Sequence, residues 1–290
     1  MQDNSAARPA VPPRSVLPLA QGELSARDRG ELRGLKSVIQ RVVGLNCESY
    51  KEPCLRRRIA VRMRARGVHN YAEYAALLEK DAAEAERLLD TITINVSKFF
   101  RNLEIWKTIR DRVLPDLLSR NGPIRIWSAG CAGGEEPYTV AMMLLRYAEL
   151  HGLSRAQLSR IEIFATDIDR ESLASAELGE YGPFAFTEIP ETERDRFFEG
   201  NRIIPEVKRM VRFAPLDLMI DPLPEEQHLI FCRNVIIYFE RSMQEQLFQQ
   251  FEAALVKGGY LVLGKVETVF GRAASLFEPV VTRERIFRKP

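Results

Sequence analysis

A doubly wound α/β sheet preceded by a small helical domain is the fold this sequence predicts, on three observations. Short apolar runs recur at residues 124–129 (IRIWSA), 161–166 (IEIFAT), 211–216 (VRFAPL), 228–232 (HLIFC), 260–264 (YLVLG) and 285–288, and read as strands buried on both faces. Helical stretches such as 137–149, 170–178 and 242–256 separate several of them. Before residue 95 the apolar period is helical instead. Leu32, Leu35, Ile39 and Val42 share one helix face, as do Leu55, Ile59 and Met63; Tyr71, Tyr74, Leu77 and Leu78 continue the pattern, then Leu88, Leu89 and Ile92.

The elements follow in order. Residues 1–22, rich in proline and small residues, read as a disordered tail. A helical domain is expected over 23–95, a linking helix over 96–120 and the sheet domain over 121–290. The interval 179–210 is too long for one crossover, and its Gly, Pro and scattered apolar residues predict an inserted substructure. A net charge of +2 does not by itself indicate a nucleic-acid binder. No apolar run reaches membrane-spanning length and no signal-peptide core opens the chain, so a cytoplasmic protein without membrane insertion is expected. Cys47, Cys54, Cys131 and Cys232 form no C-x-x-C pair and no metal-ligand spacing, so they read as reduced thiols without a metal. A monomer is the default.

Chemistry enters at "IRIWSAGCAGGEEPYTVAMMLL" (124–145), a strand, a glycine-rich turn and a helix. Gly130, Gly133 and Gly134 do not make G-x-G-x-x-G, and Glu135 and Glu136 follow at once. A helix N-terminus favours an anion by roughly 0.3–1 kcal/mol. Two carboxylates beside it would repel a diphosphate. They suit a ligand with cationic groups and no phosphate, and S-adenosylmethionine fits, with its ammonium and sulfonium. The competing reading is favourable first-turn charge on a helix opening at Pro137. In "ATDID", Asp167 stands at a strand tip, where it can accept from both hydroxyls of a ribose, and Asp169 reads as a helix N-cap. In "APLDLM", Asp217 can accept from an adenine amine or serve as an ordinary loop acid. "FCRNVIIYFE" puts Arg233 and Asn234 at the mouth of the cleft and Tyr238 and Phe239 beyond it. It lacks the prolines of the N-P-P-Y or D-P-P-Y stretch with which many base-methylating enzymes hold a flipped base.

Together, "TINVSKFFRN" (93–102), "IWSAGCAGGEEPYTVAM" (126–142), "FATDID" (164–169), "VRFAPLDL" (211–218), "FCRNVIIYF" (231–239) and "LVKGGYLVLG" (255–264) resemble the CheR family of chemoreceptor glutamate methyltransferases. The resemblance covers roughly residues 28–288. It implies a Rossmann-like, S-adenosyl-L-methionine-dependent methyltransferase sheet with an N-terminal all-helical domain and, at 179–210, a small inserted antiparallel β-subdomain. It implies that Asn95 and Ser97 touch the cofactor and that Arg101 does so at the reacting end. One of Glu135 and Glu136, the latter by preference, would bind the methionyl part. Asp167 is assigned to the ribose, Asp217 and Leu218 to the adenine, and Cys232 and Arg233 to the cleft floor, with Asn234 beside them. Tyr238 would join Arg101 near the methyl group as the catalytic pair, while Phe99 and Phe100 read as core. Departures from the family pattern are Ser97 for threonine, Asp217 for asparagine, "GKVE" (264–267) for G-H-S-E and "CAGGEE" for C-S-T-G-E-E.

The implied reaction moves a methyl group onto glutamates of receptor cytoplasmic helices. A glutamate with an ordinary pKa near 4.3 is already ionised at neutral pH, so no general base is needed. His69, His151 and His228 are scattered accordingly. In "CLRRRIAVRMRARG", Arg56, Arg57, Arg58, Arg62, Arg64 and Arg66 read as an electrostatic dock for acidic helices. Binding to RNA is the competing use of such a patch, disfavoured by the lack of interleaved aromatics. "EGNRIIPEVKRM" is short beside the tether-binding members of the family, so no pentapeptide tether is expected to be needed. A methyltransferase acting on RNA or a small molecule, and a non-catalytic signalling adaptor, are the alternatives.

Overall fold

The computed structural model describes residues 23–93 and 95–290, so the tail expected at 1–22 lies outside it. The described chain forms two units that part between Ile92 and Thr93.

The first unit is helical, with α1 (Ala26–Val43), α2 (Glu52–Ala65), α3 (Tyr71–Leu78) and α4 (Ala82–Thr93). Each boundary has a local cause. Ser25 caps α1 by accepting from Asp28 N at 3.1 Å, and Gly44, at φ 80°, ends it in the left-handed region. Asn70 caps α3 by accepting from Glu73 N at 2.8 Å. Leu32, Leu35, Ile39, Leu55, Ile59, Met63, Tyr71, Tyr74, Leu78, Leu88 and Ile92 form the buried interior, while Val42, in the last turn of α1, is exposed.

The arginines of α2 divide. Glu84 is fully buried and accepts from Arg62 Nε at 3.0 Å and Nη2 at 2.7 Å, from Arg66 Nη1 at 3.4 Å and from the Tyr74 hydroxyl at 2.7 Å. Arg66 also pairs with Asp81 at 2.9 Å, and Arg56 is buried against the Tyr71 hydroxyl. The expected six-arginine dock is therefore corrected. Arg56, Arg62 and Arg66 turn into their own unit, where a buried carboxylate requires compensation. Arg57 and Arg64 remain exposed and Arg58 is half-buried.

In the second unit, residues 103–119 run as α5 (Leu103–Thr108), a π-helical turn (Ile109–Val113) and α6 (Leu114–Ser119). Ile105, Trp106, Ile109, Val113, Leu114 and Leu117 are buried in the core of the sheet. The strands are β1 (Ile124–Ala129), β2 (Ile161–Asp167), β3 (Phe198–Glu199), β4 (Arg202–Ile203), β5 (Val211–Pro215), β6 (Gln227–Cys232), β7 (Leu255–Leu263), β8 (Glu278–Val281) and β9 (Ile286–Arg288). Seven of them make one sheet in the order β5-β2-β1-β6-β7-β9-β8. The pairs from β5 to β7 are parallel, and β9 runs antiparallel to both β7 and β8. The chain winds from β1 through β2 to β5 on one side and continues with β6 and β7 on the other. The order thus reverses between β1 and β6, where doubly wound sheets bind ligands at the carboxyl ends of their strands.

Helices α7 (Glu135–His151), α8 (Arg170–Leu178) and α9 (Arg241–Ala254) follow β1, β2 and β6. The helix expected to open at Pro137 opens two residues earlier, because Gly134 at φ 84° makes the reversal and places Glu135 and Glu136 inside the first turn. The insertion carries the antiparallel β3–β4 pair, registered Phe198↔Ile203. Phe99 packs against Tyr181 and Phe198 with ring centroids 4.6 and 5.0 Å apart, which fixes the NVSKFFR stretch against the insertion.

Candidate functional site

The site grows from the turn after β1. Gly130, at φ 78°, donates its N–H to Thr166 O at 2.8 Å, which ties the turn to β2. At Gly134 a Cβ would stand 2.8 Å from the Ala176 Cβ, so the left-handed turn also needs the missing side chain. Asp167, at the tip of β2, accepts from Ala132 N at 2.8 Å and from Asp169 N at 3.0 Å. Burial raises its pKa above the ordinary value, against the pull of these backbone donors. Asp169 caps α8 by accepting from Glu171 N at 2.9 Å and also accepts from the Ser172 hydroxyl at 2.8 Å and the Asn95 amide. Asn95 is thereby attached to the β2 edge. Ser97 follows, half-buried, before Phe99.

Glu136 is buried and accepts from the Ser128 hydroxyl at 2.8 Å and from Arg233 Nη1 at 3.2 Å. Arg233 in turn donates from Nη2 to Arg101 O at 2.8 Å and to Asn102 Oδ1 at 3.2 Å, and its guanidinium lies 5.2 Å from the Trp106 ring centroid. One buried arginine therefore joins the end of β6 to the first turn of α7 and to the segment after Phe100. Burial pushes the Glu136 pKa up and the Arg233 pKa down, while the charge of each opposes the shift of the other. The Arg101 guanidinium donates to Val96 O at 3.3 Å and lies within electrostatic reach of both members of the pair.

Glu135 is the contrast. Burial pushes its pKa up to about 7, and its Oε2 is buried without a hydrogen-bond partner. Asn234 Oδ1, Glu267 Oε1 and Arg233 Nε are likewise buried and unpartnered. The other Glu267 oxygen accepts from Gly264 N at 2.6 Å and from Asn234 N at 2.9 Å, which holds Asn234 at φ 63°. Beyond it Ile236–Tyr238 form a 3₁₀ turn that leaves Tyr238 half-buried. Cys232 is buried, and burial pushes its thiol well above the ordinary range, so it offers packing rather than reactivity. At the end of β5, Asp217 Oδ1 accepts from Met219 N at 2.8 Å, beside buried Leu218.

The structure thus brings Asn95, Glu135, Glu136, Asp167, Arg101, Arg233 and Asn234 to the carboxyl edge on both sides of the switch point, with Asp217 and Leu218 at the end of β5. Ser128, Asn102, Trp106 and Glu267 belong to the same arrangement although sequence reasoning gave them no role. Ser128 lay two residues before Gly130 on the face of β1 that meets α7; Asn102 and Glu267 stood in stretches set against the family pattern without a role assigned to them, and Trp106 gave no local signal. Buried acceptors without partners, among acids and without a phosphate cradle, match the ammonium, sulfonium and hydroxyl groups of S-adenosylmethionine.

Fold and edge together define an S-adenosylmethionine-binding methyltransferase. Residues 95–286 match the model of the CheR methyltransferase SAM binding domain, and residues 30–93 match that of the CheR methyltransferase all-alpha domain. The chain belongs to the CheR methyltransferase family. It is 36% identical over 241 residues to the chemotaxis protein methyltransferase of Listeria monocytogenes, covering 81% of this chain and 89% of that one. It is 33% identical to the protein of the same description from Borreliella burgdorferi, covering 84% and 89%, and 30% identical to that of Klebsiella aerogenes, covering 81% and 82%. No described helix is long and apolar enough to cross a membrane.

Proposed function

We propose that this protein methylates glutamate side chains on the cytoplasmic helices of chemoreceptors, yielding glutamate methyl esters and S-adenosylhomocysteine. The observation that carries the reading is the position of Arg101 beside the buried Arg233–Glu136 pair, which sets cations where the acids of the cofactor edge end. An anionic acceptor is the chemistry such an edge admits.

Glu136 retains lone pairs for the methionyl ammonium beside its bonds to Ser128 and Arg233, and Glu135 adds a second acid. Asp167 would hold the ribose and Asp217 and Leu218 the adenine, with Asn95, Ser97, Cys232, Arg233 and Asn234 around them. When bound, S-adenosylmethionine supplies an electrophilic methyl group: a glutamate oxygen forms the new C–O bond while the C–S bonding pair passes to sulfur. Arg101 and Tyr238 orient the glutamate, and neither removes a proton, because the carboxylate is ionised already. Alignment can lower such a barrier by roughly 7–11 kcal/mol in favourable cases. Arg101 must hold the acceptor loosely, since a tight bidentate pair would stabilise the ground state.

Arg57, Arg58 and Arg64 supply the remaining basic face of α2 for acidic receptor helices. The short β3–β4 pair agrees with action without a pentapeptide tether. The protein acts as a cytoplasmic monomer on this reading.

The experiment is transfer of labelled methyl to an isolated receptor cytoplasmic fragment. Label that alkali releases as methanol, the behaviour of an ester, is the expected result. Label stable to alkali, or found only on RNA, would overturn the reading.

A further inference from the structure

A cavity of about 190 Å³ opens between the start of α5, the loop after β7 and the turn between β8 and β9. Ligand sites for whole small molecules run from about 300 to 1,000 Å³, so this one has the size of a side chain rather than a nucleoside. Asn102, Leu103, Arg233, Lys265 and Arg283 line it, together with Glu104 and Glu284.

The charges are unevenly matched. Lys265 is exposed and makes no ion pair among the described residues. Glu104 is drawn to Lys107, outside the lining, at 3.0 Å, and Arg283 meets Glu284 only at 3.9 Å. Arg233 is the inner wall: its side chain is 3% exposed and its Nε has no hydrogen-bond partner. The wall also places the cavity, because Arg233 and Asn102 are bonded to each other and Arg233 bonds to the backbone of Arg101. An occupant would therefore lie against Arg233 and against Asn102, one residue along the chain from Arg101.

We propose that this cavity is a subsite for a second carboxylate of the acceptor, close to the glutamate that is methylated, with Lys265 as the cation that selects it. The proposal rests on the acceptor reading above and deepens it. Lysine suits the role: it is a mobile point charge on a flexible stem and can follow a side chain presented from a helix. Repulsion from Glu284 restricts entry to an acid that reaches Lys265, so the subsite discriminates as well as attracts.

The test is steady-state methylation of a receptor cytoplasmic fragment by the full chain, with S-adenosylhomocysteine affinity measured in parallel. Lys265→Glu is expected to raise the KM for the fragment about tenfold, with kcat within about twofold and nucleoside affinity unchanged. Lys265→Arg is expected to restore the KM. Fragments whose acids flanking the target are changed to glutamine should raise the wild-type KM similarly and add nothing further in Lys265→Glu, the non-additivity of a direct pair. An unchanged KM in Lys265→Glu overturns the subsite while leaving the acceptor reading intact. A parallel loss of nucleoside affinity also overturns it, by making Lys265 a support of the cofactor cleft. If the wild type binds the nucleoside but transfers nothing to the fragment, the acceptor reading fails and the subsite falls with it.

Discussion

Each unit buries glutamates, and Glu84 and Glu135 end differently. Glu84 is met by Arg62, Arg66 and Tyr74, and these donors outweigh burial to hold its pKa below the ordinary value. Glu135 keeps an unpartnered oxygen, and burial takes its pKa up to about 7. A carboxylate saturated by its own chain stabilises a fold. Glu135, in the turn of helix that follows the glycine-rich loop, keeps an acceptor that its own chain does not satisfy.

The largest expected effect tests the first half of this contrast. Glu84→Ala leaves two arginines without their buried partner and should destabilise the helical unit by about 3–5 kcal/mol in urea unfolding. The affinity of the folded fraction for S-adenosylhomocysteine should not change; a matching loss would break the contrast.

Glu135 tests the other half through pH. Its folded pKa, about 7, lies above the ordinary 4.5, so the native state holds the proton longer than the unfolded chain. The resulting stability is complete below about 4.5 and is lost as pH rises through about 7, with a ceiling of roughly 3 kcal/mol. Glu135→Gln should flatten that slope in denaturation curves recorded across the range. Because a ligand cation favours the ionised form, wild-type affinity for S-adenosylhomocysteine should rise as pH passes upward through about 7, and the variant should lack that rise. An identical pH profile in both proteins would place Glu135 outside the site.

Gly134→Ala should destabilise the second unit by about 1–2 kcal/mol through its left-handed backbone alone, and the contact with Ala176 adds to this. Nucleoside affinity should fall with it, measured by calorimetry on protein shown to be folded. The smallest effect is at the surface. Arg57→Glu with Arg64→Glu should weaken receptor-fragment association a few-fold at low salt and less at high salt, about 1 kcal/mol or below. Salt-independent association in the wild type would remove the electrostatic dock altogether.

Much of the fold was legible because parallel strands buried on both faces read as unbroken apolar runs, as at IRIWSA and IEIFAT. β8 was not: it is a short antiparallel edge strand containing Pro279, with Glu278 and Pro279 exposed. The start of α7 was misplaced because proline at 137 looked like the opening residue, whereas Gly134 makes the reversal, so that the helix opens two residues earlier and Pro137 is third in it. The strand-end acids Asp167 and Asp217 stood out because each closes an apolar run. Ser128, Trp106 and Glu267 gain their roles only through tertiary contacts. Charge alone likewise could not show that Arg62 reaches Glu84, twenty-two residues along the chain, instead of solvent.

The central claim is that the acids at the carboxyl edge hold S-adenosylmethionine, and calorimetric titration with S-adenosylhomocysteine tests it most directly. The wild type should bind one equivalent saturably and ignore NADH, a nucleoside ligand that carries the diphosphate the two glutamates repel, while Glu136→Gln, still folded by circular dichroism, should bind at least about tenfold more weakly. Equal affinity in the two proteins, or no binding by the folded wild type, would contradict the account.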